Sequence, residues 1–90
     1  MGHELIYELM ELRHLRYFVA VAEELSFTRA AERLHLAQPS LTRQIKDLEE
    51  EIGVRLVDRT GKRVRLTEEG KSFLTDTKRL LEDSSFTIRM

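Results

Sequence analysis

Ninety residues suffice for one small domain with a modest core and leave no room for a second. With no cysteine, the chain has no disulfide framework, thiolate metal site or thiol nucleophile. No apolar run approaches a membrane span, and no basic stretch followed by an apolar signal segment opens it, so a soluble, cytoplasmic chain is expected. The formal net charge of −1 hides an uneven distribution: residues 37–66 hold seven Lys/Arg against five Asp/Glu, whereas residues 1–36 hold four against six and residues 67–90 four against five.

Leu12, Leu15, Phe18, Val19, Ala22 and Leu25 recur at helical spacing and predict a first helix over residues 12–25. Leu5, Ile6 and Leu9 share that spacing and could extend it backwards. Ser26-Phe27-Thr28 interrupts the pattern, and Thr28 is expected to N-cap a short helix starting at Arg29. The same helix end could point at a DNA phosphate, which makes Thr28 a candidate backbone contact. Phe27 is expected to plug the core, and Ala30, Ala31 and Leu34 offer a small-residue face over which another helix can cross closely.

Pro39 forces Gln38 out of helical dihedrals and suits the first turn of a helix, so the next helix is expected to begin near Pro39. Leu41, Ile45, Leu48 and Ile52 form its apolar stripe. Pro39, Arg43, Lys46 and Glu50 fall opposite, with Gln38, Ser40, Thr42 and Gln44 on the flanks. Short hydroxyls and amides at the N-terminal end of a helix fixed by a preceding helix are what major-groove reading requires. Base reading is therefore assigned to Gln38, Pro39, Ser40 and Thr42. Arg43 is assigned to the DNA backbone, with bidentate guanine contact as the alternative, and Lys46 also to the backbone.

Gly53 sits where a helix C-cap is needed. Residues 56–59 and 63–66 read as two short strands around a Gly-containing turn, a wing whose tip residues Lys62 and Arg63 are expected to reach DNA backbone. Thr67, followed by Glu68 and Glu69, is expected to cap a last helix, and Gly70 to permit close approach to the first helix. Phe73, Leu74, Thr77, Leu80 and Leu81 make a stripe that either packs within its own domain or, as we expect, dimerises with a second copy.

Catalysis has little support. There is no Gly-rich phosphate loop, His3, His14 and His35 lie on separate elements, and the consecutive carboxylates Glu49, Glu50 and Glu51 point to different helix faces. No cofactor, metal or small-molecule site is expected. A protein-interaction module working only through the last helix is the other alternative, separable by salt dependence because phosphate contacts weaken steeply with ionic strength.

The run Ala30-Ala31-x-x-Leu34, then Gln38-Pro39-Ser40-Leu41-Thr42-Arg43-Gln44-Ile45, then Leu48-Glu49 and Gly53-Val54-x-Leu56, closely resembles the N-terminal DNA-binding domain of LysR-type transcriptional regulators. The resemblance covers Met10 to about Glu82. It implies a mainly α fold: a winged helix-turn-helix of three helices and a two-stranded β wing over residues 10–66, then a long linker and dimerisation helix over residues 67–90. Met10-Glu11-Leu12-Arg13 looks like the usual start of the family, so residues 1–9 are expected to be an extension, either a cloning remnant or an upstream start. The resemblance further implies sequence-specific binding of double-stranded DNA in transcription regulation, as a homodimer on an interrupted inverted repeat. A full-length parent, possibly a tetramer, would carry an effector domain absent from this chain.

Overall fold

The computed structural model describes the backbone of residues 2–61 and 63–88 and the side chains of residues 12–61, 63–79 and 81. Four helices and one hairpin follow in the order α1 (Gly2–Glu24), α2 (Phe27–Leu34), α3 (Gln38–Ile52), β1 (Val57–Asp58), β2 (Arg65–Leu66) and α4 (Glu68–Ile88). The two strands pair antiparallel, Val57 opposite Leu66 and Asp58 opposite Arg65. The architecture is a winged helix-turn-helix carrying a long final helix.

The core gathers Phe18, Val21, Ala30, Ala31, Leu41, Ile45, Leu48, Leu56 and Val57, all buried. It lies where α1 packs against α2, α3 and α4. Ala30 and Ala31 keep the α2 backbone near its neighbours, as expected of a small-residue face. Phe73 of α4 meets Phe18 of α1 edge to face, with ring centroids 5.4 Å apart.

Several expectations need correction. α1 begins ten residues before Leu12 and runs unbroken through residues 9 and 10. Ser26, not Thr28, caps α2: extended at φ −159°, ψ 122°, its hydroxyl accepts the N–H of Arg29 at 3.1 Å. Thr28 is then an exposed residue inside the first turn. The shift follows from Phe27, which at the first helical position joins Ala30 and Ala31 on the buried face. Ile52 leaves the α3 stripe and is 38% exposed, at the last position before the helix stops at Gly53 (φ 82°). In its place Glu49 is buried.

Thr67 caps α4 as expected, its Oγ1 accepting the N–H of Gly70 at 2.9 Å. The close approach at Gly70 is not to α1, however, but to the chain entering the wing. A Cβ there would stand 2.2 Å from the carbonyl oxygen of Leu56. That carbonyl also accepts the N–H of Thr67, and the Thr67 hydroxyl donates to the carbonyl of Arg55 at 2.6 Å. The start of α4 is thereby stitched to the segment between α3 and β1.

Candidate nucleic-acid interface

The turn between α2 and α3 sets where α3 starts. His35 adopts the left-handed conformation (φ 59°, ψ 43°), and the N–H groups of His35 and Leu36 close on the carbonyls of Glu32 and Ala31 at 3.2 and 2.9 Å. Ala37 is extended and provides no side-chain cap, and Pro39 has no N–H to satisfy, so α3 opens with its first turn unobstructed by its own chain.

Leu41, Ile45 and Leu48 anchor α3 inward. That leaves Gln38, Pro39, Ser40, Arg43 and Lys46 exposed and Thr42 half-buried at the edge of the helix. The four residues assigned to base reading thus lie together at the N-terminal end, and the two basic residues assigned to phosphate follow along the same helix. Gln44, half-buried, lies nearer the core.

After Gly53, whose N–H donates to the Glu49 carbonyl at 2.8 Å, the chain turns back along α3. The Glu49 carboxylate fixes this return: its Oε2 accepts the buried N–H groups of Leu56 at 2.8 Å and Val57 at 3.0 Å. One acid thus ties α3 to the wing, a role the sequence reading missed. The signal available was an acidic residue one position past Leu48, on the edge of the apolar stripe.

Within the wing, Asp58 Oδ1 accepts both the N–H and the hydroxyl of Thr60, at 2.9 and 2.7 Å. The Thr60 backbone N–H, then its hydroxyl, holds the Asp58 carboxyl below the usual carboxylate range. Arg63 is exposed, so it is free to meet a ligand, while Lys62 lies outside the described residues. Arg59, one of the five basic residues around the wing, sets its guanidinium 4.6 Å over the Phe27 ring and bridges wing to α2, a contact the sequence did not indicate.

A second set of contacts orients α4. Arg33 of α2 pairs with Glu23 at 2.9 Å and Glu24 at 3.2 Å on α1, and Lys78 of α4 reaches Glu23 at 3.1 Å. The Lys78 ammonium, then the Arg33 guanidinium, holds the Glu23 carboxyl below its ordinary value. Of the residues assigned to dimerisation, Thr77 is only 2% exposed within one chain, leaving nothing for a partner to cover. Phe73 and Leu74 are half-buried against their own core, Leu81 is half-buried, and the side chain of Leu80 lies outside the described ones. The stripe is therefore shared with the domain's own core to a degree the sequence did not reveal.

Among the described residues there is no cluster of three or more His, Asp or Glu that could hold a metal, and no helix long and apolar enough to cross a membrane.

Residues 12–71 match the family described as bacterial regulatory helix-turn-helix protein, lysR family. The uncharacterised HTH-type transcriptional regulator YnfL of Escherichia coli (strain K12) is 60% identical over 72 residues, 80% of this chain and 24% of its own length. The HTH-type transcriptional regulator BenM of Acinetobacter baylyi is 52% identical over 81 residues, 90% of this chain and 27% of its own. The chain thus spans about a quarter of the length of these relatives. The BenM DNA-binding domain in complex with catB site 1 DNA superposes with a TM-score of 0.84 at 51% identity, covering 88% of each chain. The CbnR DNA-binding domain in complex with DNA gives 0.80 at 43% identity, covering 84% of this chain and 87% of that one.

Proposed function

The chain belongs to the lysR family of bacterial regulatory helix-turn-helix proteins, and from that premise we propose that it binds duplex DNA sequence-specifically, as a DNA-binding domain of a cytoplasmic transcriptional regulator. The observation that carries this reading is the near-complete superposition on the BenM domain in its DNA complex, joined to an α3 whose exposed N-terminal end is polar and whose opposite stripe is anchored in the core.

On this reading α3 enters the major groove. Gln38, Ser40 and Thr42 offer hydrogen bonds to base edges, and Pro39 offers apolar contact to a thymine methyl. Arg43 and Lys46 lie farther along the helix, where a long cation reaches the flanking backbone. Arg63, and Lys62 beside it in sequence, contact the backbone from the wing. Thr28 has lost the capping role but is exposed in the first turn of α2, where backbone N–H groups favour a phosphate.

Residues 67–90 serve as the linker through which two copies associate, with Phe73, Leu74, Leu80 and Leu81 as the pairing residues and Thr77 excluded by its burial. A two-fold dimer places two copies of α3 in successive major grooves, so the site is an interrupted inverted repeat. Fluorescence anisotropy of the chain on a mixed-sequence duplex, titrated at rising salt, tests the reading. Affinity that falls steeply with salt supports it, because each neutralised phosphate adds about 0.9 to the slope; affinity indifferent to salt contradicts it.

A further inference from the structure

Phe18 of α1 meets Phe73 of α4, and farther along Glu23 of α1 meets Lys78 of α4 at 3.1 Å. Both pairs keep the same offset along the chain, so α1 and α4 run side by side in the same direction. α1 ends at Glu24, whereas α4 continues to Ile88, about 15 Å past Lys78. Glu23 therefore grips α4 at the point where it leaves α1. The two oxygens of this carboxylate are divided between helices. Oε2 takes Lys78 of α4, Oε1 takes the Arg33 guanidinium of α2 at 2.9 Å, and Arg33 reaches on to Glu24 at 3.2 Å. One carboxylate thus keys α4 to α2, the helix whose final turn sets where α3 starts.

An isolated exposed ion pair adds little stability, but it can still decide a geometry. The first turn of α4 is stitched to Arg55 and Leu56, and Gly70 lies tight against the Leu56 carbonyl. A tilt of α4 against the rest of the domain pivots there, so Lys78, about 12 Å farther along the axis, moves more than the residues between. A tilt of about 10° away from Glu23 carries Lys78 roughly 2 Å, which parts the 3.1 Å contact beyond ion-pair range. Across a molecule 26 by 22 Å in its shorter dimensions, the same rotation displaces the far surface by about 4 Å, close to the 3.4 Å rise of one base pair. We propose that Lys78 and Glu23 are positioning residues that fix the helix-turn-helix on α4 and thereby select the spacing between the two half-sites. This role rests on the reading of the chain as a DNA-binding dimer paired through α4. A duplex whose half-sites stand one base pair too close or too far is engaged only by tilting, and tilting breaks the contact.

The test uses the whole chain on duplexes built from half-sites that the unaltered protein selects, with the spacer stepped one base pair at a time, and on a duplex with a single half-site. Unaltered protein, Lys78→Gln and Lys78→Arg are compared. A half-exposed pair is worth a factor of roughly 1.5 to 5, and a dimer holds two of them. Lys78→Gln is therefore expected to lower the preference for the best spacing over its neighbours by about two- to twentyfold, with single-half-site affinity unchanged. Lys78→Arg keeps a cation for Glu23 and should keep the spacing profile. An unchanged profile in Lys78→Gln, an equal loss at every spacing and on the single half-site, or a profile broadened as much by Lys78→Arg each overturns the positioning role and leaves the DNA-binding reading intact. Unaltered protein that binds the half-site with no preferred spacing removes the paired dimer along with this role. Unaltered protein that binds no duplex removes the DNA-binding reading as well.

Discussion

Replacing Glu49 isolates the joint between α3 and the wing. Its carboxylate accepts two N–H groups, those of Leu56 and Val57, from residues 0% and 1% exposed. Glu49→Ala leaves both donors buried with no acceptor, at about 1–3 kcal/mol each, so a loss of roughly 2–6 kcal/mol is expected. A domain of this size has about 5–15 kcal/mol in all. Glu49→Gln keeps an amide oxygen in nearly the same place and forfeits only the charge assistance, so it should lose about 1 kcal/mol. Urea unfolding followed by circular dichroism gives both values, and amide hydrogen exchange gives a local readout. The Leu56 and Val57 amides should exchange much faster in Glu49→Ala, while the α1 core amides follow only the global loss. An Ala variant within about 0.5 kcal/mol of the unaltered protein, or unchanged protection at Leu56 and Val57, would refute the reasoning, because that is the range of an ordinary surface substitution.

Gly70→Ala places a methyl group 2.2 Å from the Leu56 carbonyl oxygen, a backbone atom with little room to move; a loss of about 1–3 kcal/mol in urea unfolding is expected. Ser26→Ala removes the α2 cap and should cost about 1 kcal/mol, whereas Thr28→Ala should leave stability near its original value; comparable melting losses for both would return the cap to Thr28. Glu23 has a folded-state pKa below its unfolded value, so its partners add stability above the unfolded pKa, and that stability is lost as pH falls through the folded value. Glu23→Gln should therefore flatten the acid limb of the stability curve and lower the neutral plateau, which urea unfolding across pH checks directly. Thr42→Ala should relax preference at one base pair by about 1–3 kcal/mol; an unchanged ranking of site variants would remove Thr42 from the reading set.

The helix-turn-helix was legible because its signals are local. Pro39 and the stripe of Leu41, Ile45 and Leu48 mark α3 through its own periodicity, and Gly53 marks its end through a conformation few residues adopt. The errors came where a distant segment decides the outcome. Ser26 and Thr28 are both able caps, and the choice fell to Phe27, whose burial against the core pulls it into the helix. Glu49 was read only as one of three consecutive carboxylates on different helix faces, since its partners are backbone donors from a segment that doubles back. Gly70 was recognised as a site of close approach but matched to the wrong neighbour, because nothing local indicates that the Leu56 carbonyl lies against it. Thr77 entered the dimer stripe on spacing alone, which cannot tell a residue facing a partner from one facing its own core.

The exposed face of α3 was legible for the same reason. The reading set on α3 follows from subtracting the buried stripe from the helix, and exposure of Gln38, Pro39 and Ser40 agrees with that subtraction. Arg59 could not be found that way. A single arginine in a short basic wing has no periodicity to betray it, and its interest comes from the ring of Phe27, a residue thirty-two positions earlier in the chain.

Selection of bound sites from a random duplex library at two salt concentrations tests the central claim most directly. The account predicts an interrupted inverted repeat, with recovery falling steeply at the higher salt. Recovery of no common sequence, or of a sequence without two-fold symmetry, would contradict a paired set of α3 helices reading successive major grooves.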